Sequence, residues 1–140
     1  MNFIMNMSRE EHARRLEHVL NLPLHRFLNL KILEHGPGFS TIELEPSPNS
    51  ANAINVVHGG IIYSVLDFTA FVAMLPMMKD TQNAVTHDIH VSLLKPGPID
   101  QPIIFKGSVR KMGRNIAFCD SEAYCGDSLI GIGRVTKSII

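Results

Sequence analysis

The chain has no surplus charge of either sign: 13 basic and 13 acidic residues cancel. A dedicated nucleic-acid binder carries a basic excess, so that class is set aside. Neutrality also removes the mutual repulsion that keeps copies of a chain apart, which favours self-association. Cysteine is scarce. Cys119 and Cys125 lie six positions apart in one expected strand, or about 20 Å when extended. A disulfide needs Cα atoms within about 7 Å, so these two cannot bridge there. Free thiols fit a reducing, cytoplasmic setting. Repeats, low-complexity tracts and linkers are also missing. The 140 residues are therefore expected to form one domain, 1–140, with a helical N-terminal segment over 1–28. Met1–Met7 has neither a charged start nor a sustained apolar run, so no secretory signal is expected. No stretch reaches the ~20 apolar residues of a bilayer crossing.

What is present is the composition of a globular protein, 45% hydrophobic and 19% charged. Ser8-Arg9-Glu10-Glu11 has the form of a capping box. Behind it Ala13, Leu16, Val19 and Leu20 recur at helical spacing, leaving His12, Arg15 and His18 to a solvated face. Pro23 stops or bends this helix. Two strands follow, from Leu30 and over Phe39–Glu45, around the turn Gly36-Pro37-Gly38. Further strands are read at Ala84–Leu94, Ile103–Lys111, Asn115–Cys125 and Leu129–Ser138, the last two joined by a Gly126-Asp127 turn. In the first of these, Val85, Ile89, Val91 and Leu93 take one face, with Thr86, Asp88, His90 and Ser92 on the other.

Between the two strand groups lies the densest apolar run, from Gly60 through Phe68, Phe71 and Val72 to Leu75. A helix apolar on nearly every side must be enclosed. Hairpin-joined strands around one enclosed helix give an α+β arrangement, an antiparallel sheet wrapped around a long central helix. Yet Asp67 sits inside that run. A carboxylate there is costly unless it is paired or has a task.

The motif Asn52, His58-Gly59-Gly60 and Asp67, with Ala84-Val85-Thr86-His87-Asp88 on the next strand, resembles the hotdog-fold thioesterases of the PaaI-like group. The likeness covers the chain after the first helix. It implies the hotdog fold and hydrolysis of an acyl-coenzyme A thioester, in a homodimer or dimer of dimers with sites at the subunit interface. No cofactor is implied, since coenzyme A belongs to the substrate, and neither nucleic acid nor membrane is an expected partner. Lys111-Met112-Gly113-Arg114-Asn115 and the terminal segment ending at Lys137 resemble the family's coenzyme A-contacting segments. The resemblance assigns the oxyanion donor to the Gly59 amide. Thr86 stands where the family has Ser or Thr, and His90 where a smaller polar residue is common.

The residues support such chemistry on their own terms. Amides at a helix start stabilise a developing oxyanion, and glycines there admit substrate to the backbone. Asp67 is the candidate general base or nucleophile, with Thr86 holding it or orienting water. Asn52 could bond the water or carbonyl, and His58 could position Asn52 or assist the departing sulfur. Asp67 lies nine residues beyond His58, about 13 Å along the axis and turned roughly to the opposite side. It therefore cannot reach a carbonyl held at its own helix start, and the pair requires a second chain. Lys106, Arg110, Lys111, Arg114 and Lys137 are candidate phosphate contacts. Met74, Met77 and Met78 could line an acyl pocket or fill core. His87 and His90 have opposite parity on their strand, so no metal site is expected. Two other classes stay open: a non-catalytic acyl-coenzyme A sensor, and a hotdog hydratase or dehydratase. The acyl group is not readable.

Overall fold

In a computed structural model the described residues are 6–140. Residues 1–5, and with them most of the segment read for a secretory signal, lie outside the described residues. Helix α1 (Arg9–Leu20) and a short α2 (Pro23–Phe27) precede strands β1 (Leu30–Gly36) and β2 (Phe39–Leu44). A loop then leads to helix α3 (Gly59–Met74), extended by a 3-10 turn (Leu75–Met77). Four strands complete the chain: β3 (Ala84–Leu93), β4 (Ile103–Met112), β5 (Ile116–Cys125) and β6 (Ser128–Ile139). Pro23 opens α2, where its missing amide hydrogen costs nothing.

The six strands form one antiparallel sheet in the order β1-β2-β4-β5-β6-β3. α3 touches all six, so the sheet wraps it, which is the hotdog arrangement expected. With its 3-10 extension the helix runs 19 residues and is apolar enough to cross a membrane, contrary to the shorter run expected; here most of it is buried under the sheet. Two hydroxyls tie its backbone down. Ser121 Oγ donates to the Leu66 carbonyl at 2.8 Å, and Ser40 Oγ donates to the Thr69 carbonyl at 2.6 Å. Beneath them Gly107 of β4 leaves no room for a side chain: a Cβ there would lie 2.8 Å from the Thr69 carbonyl oxygen. The backbone on both sides of Asp67 is thus fixed by the sheet.

Only a narrow stripe of α3 stays open, through Gly60, Tyr63, Ser64, Asp67 and Phe71. These positions recur at three- and four-residue spacing, one line along a helix. The orientation expected for Asp67 is therefore corrected: it shares the open side with the helix start rather than facing away. The axial separation remains, about 12 Å over the eight residues from Gly59.

Four further expectations change. The strand β3 bulges between Thr86 and Asp88, so that Thr86 pairs with Lys137 and Asp88 with Thr136. One extra residue reverses parity. Thr86 turns inward with Ile89, while Val85 lies outward and exposed. The opposite-parity argument for His87 and His90 lapses as well, since His87 Nδ1 meets Ser138 Oγ at 3.4 Å on the outer face. No group of three or more His, Cys, Asp or Glu able to hold a metal occurs among the described residues.

In α1, Ser8 caps through Glu11 N–H as expected, but the Glu11 carboxylate pairs with Arg14 instead of returning to the Ser8 amide. The buried face of α1 includes His12, not Ala13. His12 is 6% exposed, edge-on to His35 with ring centroids 5.2 Å apart, and Arg15 Nη1 is buried without a partner among the described residues. Packing of α1 over β1 decides this. Both cysteines are free, and burial pushes the Cys119 thiol up to about 12.

Candidate active site

The loop before α3 is organised by Asn52. Its Oδ1 accepts the amide hydrogens of Ile54 at 3.0 Å and Val56 at 3.1 Å, an Asx turn extended by two residues. Its Nδ2 donates to nothing among the described residues. His58 is the N-cap of α3: Nδ1 accepts from the Gly60 amide at 3.0 Å. That role needs the ring hydrogen on Nε2. Asn52 and His58 are not hydrogen-bonded to each other, so the expected positioning of one by the other is absent here.

The cap sorts the two glycines. Gly60 spends its amide on His58, and Ile61 and Ile62 donate to the His58 carbonyl. The Gly59 amide has no acceptor among the described residues. It stands at the positive end of a four-turn helix, beside Leu93. A free amide in that setting can receive an oxyanion.

Asp67 lies half-buried on the open stripe, bonded on one flank only. Thr86 Oγ1 is 2.8 Å from Oδ1 and 2.9 Å from Oδ2, a single hydrogen shared between them. Lys137 Nζ is 2.8 Å from Oδ1 and 3.0 Å from Thr86 Oγ1. Oδ1 thus accepts twice, whereas Oδ2 has only a share of the Thr86 hydrogen and keeps lone pairs toward the opening. Thr86 holds the carboxylate and has no hydrogen left for a water.

Lys137, expected at a coenzyme A phosphate, is 4% exposed with its ammonium on Asp67 and Thr86, and lies 5.7 Å from the Phe71 ring centroid. Sequence reasoning missed this partnership. The signal was available: Lys137 shares parity with Val135 and so faces the helix. The other basic residues separate too. Lys106 lies over Tyr124, and Arg110 pairs with Asp120 at 3.2 Å. Lys111 and Arg114 are exposed and have no carboxylate partner among the described residues. With Met112, Gly113 and Asn115 they make up the end of β4 and the turn into β5. There a Cβ on Gly113 would lie 2.7 Å from the Ile116 carbonyl oxygen, and Asn115 accepts from Ile139 N–H at 2.9 Å. Met112 pairs with Ala117, which pairs with Lys137, so the turn lies two strand spacings, about 10 Å, from the Asp67 cluster. Met74, Met77 and Met78 are all buried core at the far end of α3, and their acyl-pocket reading falls.

Set beside known proteins, the sequence and the fold point one way. The sequence model of the thioesterase superfamily matches residues 54–132, from the Asx loop to β6. The chain belongs to that superfamily. Human acyl-coenzyme A thioesterase 13 is 26% identical over 129 residues, covering 91% of this chain and 86% of that protein. The Escherichia coli PaaI protein of the phenylacetic acid degradation operon superposes with a TM-score of 0.85 at 17% identity, covering 98% and 96% of the two chains. A Streptococcus mutans protein solved with acetyl-CoA bound matches with a TM-score of 0.76 at 19% identity, over 81% of this chain and 90% of that one.

Proposed function

We propose that the protein hydrolyses acyl-coenzyme A thioesters, in a homodimer where the Gly59 amide of one protomer faces the partner's Asp67. The observation that carries this is the pairing of a free helix-start amide with a held carboxylate some 12 Å down the same helix, too far apart to share one thioester carbonyl. A two-fold partner supplies the missing half twice over. β3 supports that arrangement. It is an edge strand of ten residues beside Asp67, with nothing paired to its outer side among the described residues, and an edge of this kind is a template for strand addition.

In the reaction Asp67 Oδ2 takes a proton from water as the water oxygen bonds to the thioester carbon. The carbonyl π electrons move onto oxygen, which the Gly59 amide receives. Collapse breaks the C–S bond, and the coenzyme A thiolate leaves with the proton returned to it. Alternatively Oδ2 attacks directly and water cleaves the resulting anhydride. An acyl group trapped on Asp67 by hydroxylamine during turnover marks the anhydride route, and an unmodified Asp67 under the same conditions marks the general-base route. The Asn52 Nδ2 hydrogens and the His58 Nε2 hydrogen are the remaining donors near the helix start. Lys111 and Arg114, on the turn with Met112, Gly113 and Asn115, suit the phosphates of coenzyme A. The human relative and the acetyl-CoA complex from Streptococcus mutans support that substrate class. Two free thiols are consistent with a cytoplasmic setting.

Mixing two inactive variants tests the composite site. D67N removes the carboxylate and G59P removes the amide hydrogen. Random re-assortment gives mixed dimers as half of the population, each with one intact site, so about a quarter of wild-type thiol release should return. No recovery in demonstrably mixed dimers would overturn the shared site. Tight acyl-coenzyme A binding with no thiol release by wild-type protein over a broad acyl panel would favour a sensor instead.

A further inference from the structure

We propose, on the reading of Asp67 as the acting carboxylate, that Lys137 is the positioning residue that presents it. A lysine is almost never this buried without a partner, because an unpaired ammonium in the interior is costly. Asp67 is the only carboxylate in ion-pair contact with it among the described residues. Two of its three hydrogens go to Asp67 Oδ1 and Thr86 Oγ1, and the Phe71 ring lies beside it.

The seat is built by the sheet. Thr86 and Lys137 are direct cross-strand partners of β3 and β6, and the bulge after Thr86 turns its side chain to the same inner face as Lys137. Hydroxyl and ammonium together form a two-point rest for one carboxylate whose backbone is already anchored at Leu66 and Thr69. Lys137 saturates Oδ1 and so selects Oδ2 as the oxygen offered at the opening. A phosphate contact would demand the opposite: an exposed ammonium, withdrawn from Asp67.

The two roles differ in which kinetic constant moves. K137M keeps an apolar stem of similar length and removes the charge. With an acyl-coenzyme A, kcat should fall at least ~10-fold while KM changes little, the pattern of an interaction that matters in the transition state. The same fall should appear with the matching acyl-pantetheine thioester, which lacks the nucleotide phosphates. K137R should recover part of the turnover. In a D67N background K137M should cost nothing further, since residues acting as a unit are non-additive. A rise in KM confined to the coenzyme A ester, at unchanged kcat, would overturn the proposal and return Lys137 to the phosphates. Full turnover by D67N would instead sink the reading of Asp67 beneath it.

A measurement on the wild-type chain stands whether or not K137M folds. Amine acetylation followed by mass spectrometry should leave Lys137 protected under conditions that label Lys111, and D67N should raise its labelling. Labelling of Lys137 as fast as Lys111 in the native protein contradicts the buried seat.

Discussion

His58 accepts the Gly60 amide hydrogen on Nδ1 at 3.0 Å, and the amide one residue earlier, at Gly59, is left without an acceptor among the described residues. A side chain that caps a helix ordinarily quiets its exposed donors. This one satisfies the second donor and leaves the first, which is the donor closest to the loop and lies beside Leu93 at the end of β3. The same contact that starts α3 thus defines where an oxyanion can be received.

Gly59 is the first residue of α3, and His58 ahead of it has φ −58° and ψ 130°, a conformation compatible with a following proline. Proline at this position therefore deletes one N–H, and its Cβ meets the same movable end of Leu93 that an alanine methyl would. G59P should lower kcat for thiol release by ~10²–10³-fold, the loss seen when one oxyanion donor is removed, with an unfolding midpoint close to wild type. G59A keeps the amide. It should retain most of the turnover, its methyl meeting only the movable end of Leu93. Equal losses in the two variants would show that space at Gly59 matters, not its hydrogen.

H58A removes the cap and should cost about 1 kcal/mol, read as a fall in melting temperature of a few degrees. H58N retains an acceptor at the N-cap and should restore most of that stability. If turnover stays low in H58N while the melting temperature returns, the Nε2 hydrogen has a part in the reaction beyond the cap.

G107A puts a methyl 2.8 Å from the Thr69 carbonyl oxygen and 2.9 Å from Thr69 Cγ2, so the helix or the strand must move. Overpacking of this kind costs roughly 1–3 kcal/mol. Because Asp67 lies within a turn of Thr69, kcat should fall along with the melting temperature although Gly107 touches no substrate. A stable G107A protein with unchanged kcat would show that the pinning of α3 is irrelevant to the carboxylate.

His12 is held below the ordinary histidine range, first by burial and then by repulsion from His35. Arg9 and Glu17 line the same groove, and Arg15 lies on the adjacent turn. A histidine lowered in the folded state protonates first in the unfolded chain. Its contribution is therefore complete above about pH 6.5 and is lost as the pH falls from there toward the folded-state value. Melting temperatures at pH 7.5 and 5.5 should fall for the wild type, and the drop should shrink in H12L. An identical drop in H12L would move the acid sensitivity to another group.

Much of the fold was legible because the signals are periodic and local. The strand and helix positions follow from alternation, turn glycines and the single long apolar run, and the observed ends differ by only a residue or two. Asn52 folding its own loop and His58 opening the helix are likewise contacts between near neighbours in sequence. Ala13 for His12 was a wrong choice of helix face, since α1 is amphipathic enough to permit either until β1 lies under it. The inward turn of Thr86 was hidden by a single inserted residue, which leaves the composition of β3 unchanged and reverses one end of it.

The sequence by itself determined an enclosed helix, the glycine start that exposes an amide, and an acid where an acid is costly. It could do so because each is written within one segment, in residue type and spacing. Tertiary structure alone decided which partners that acid meets. Lys137 reaches Asp67 only because the last strand of the sheet lies beside the strand that follows the helix, and no spacing along the chain encodes a contact between residues 70 positions apart.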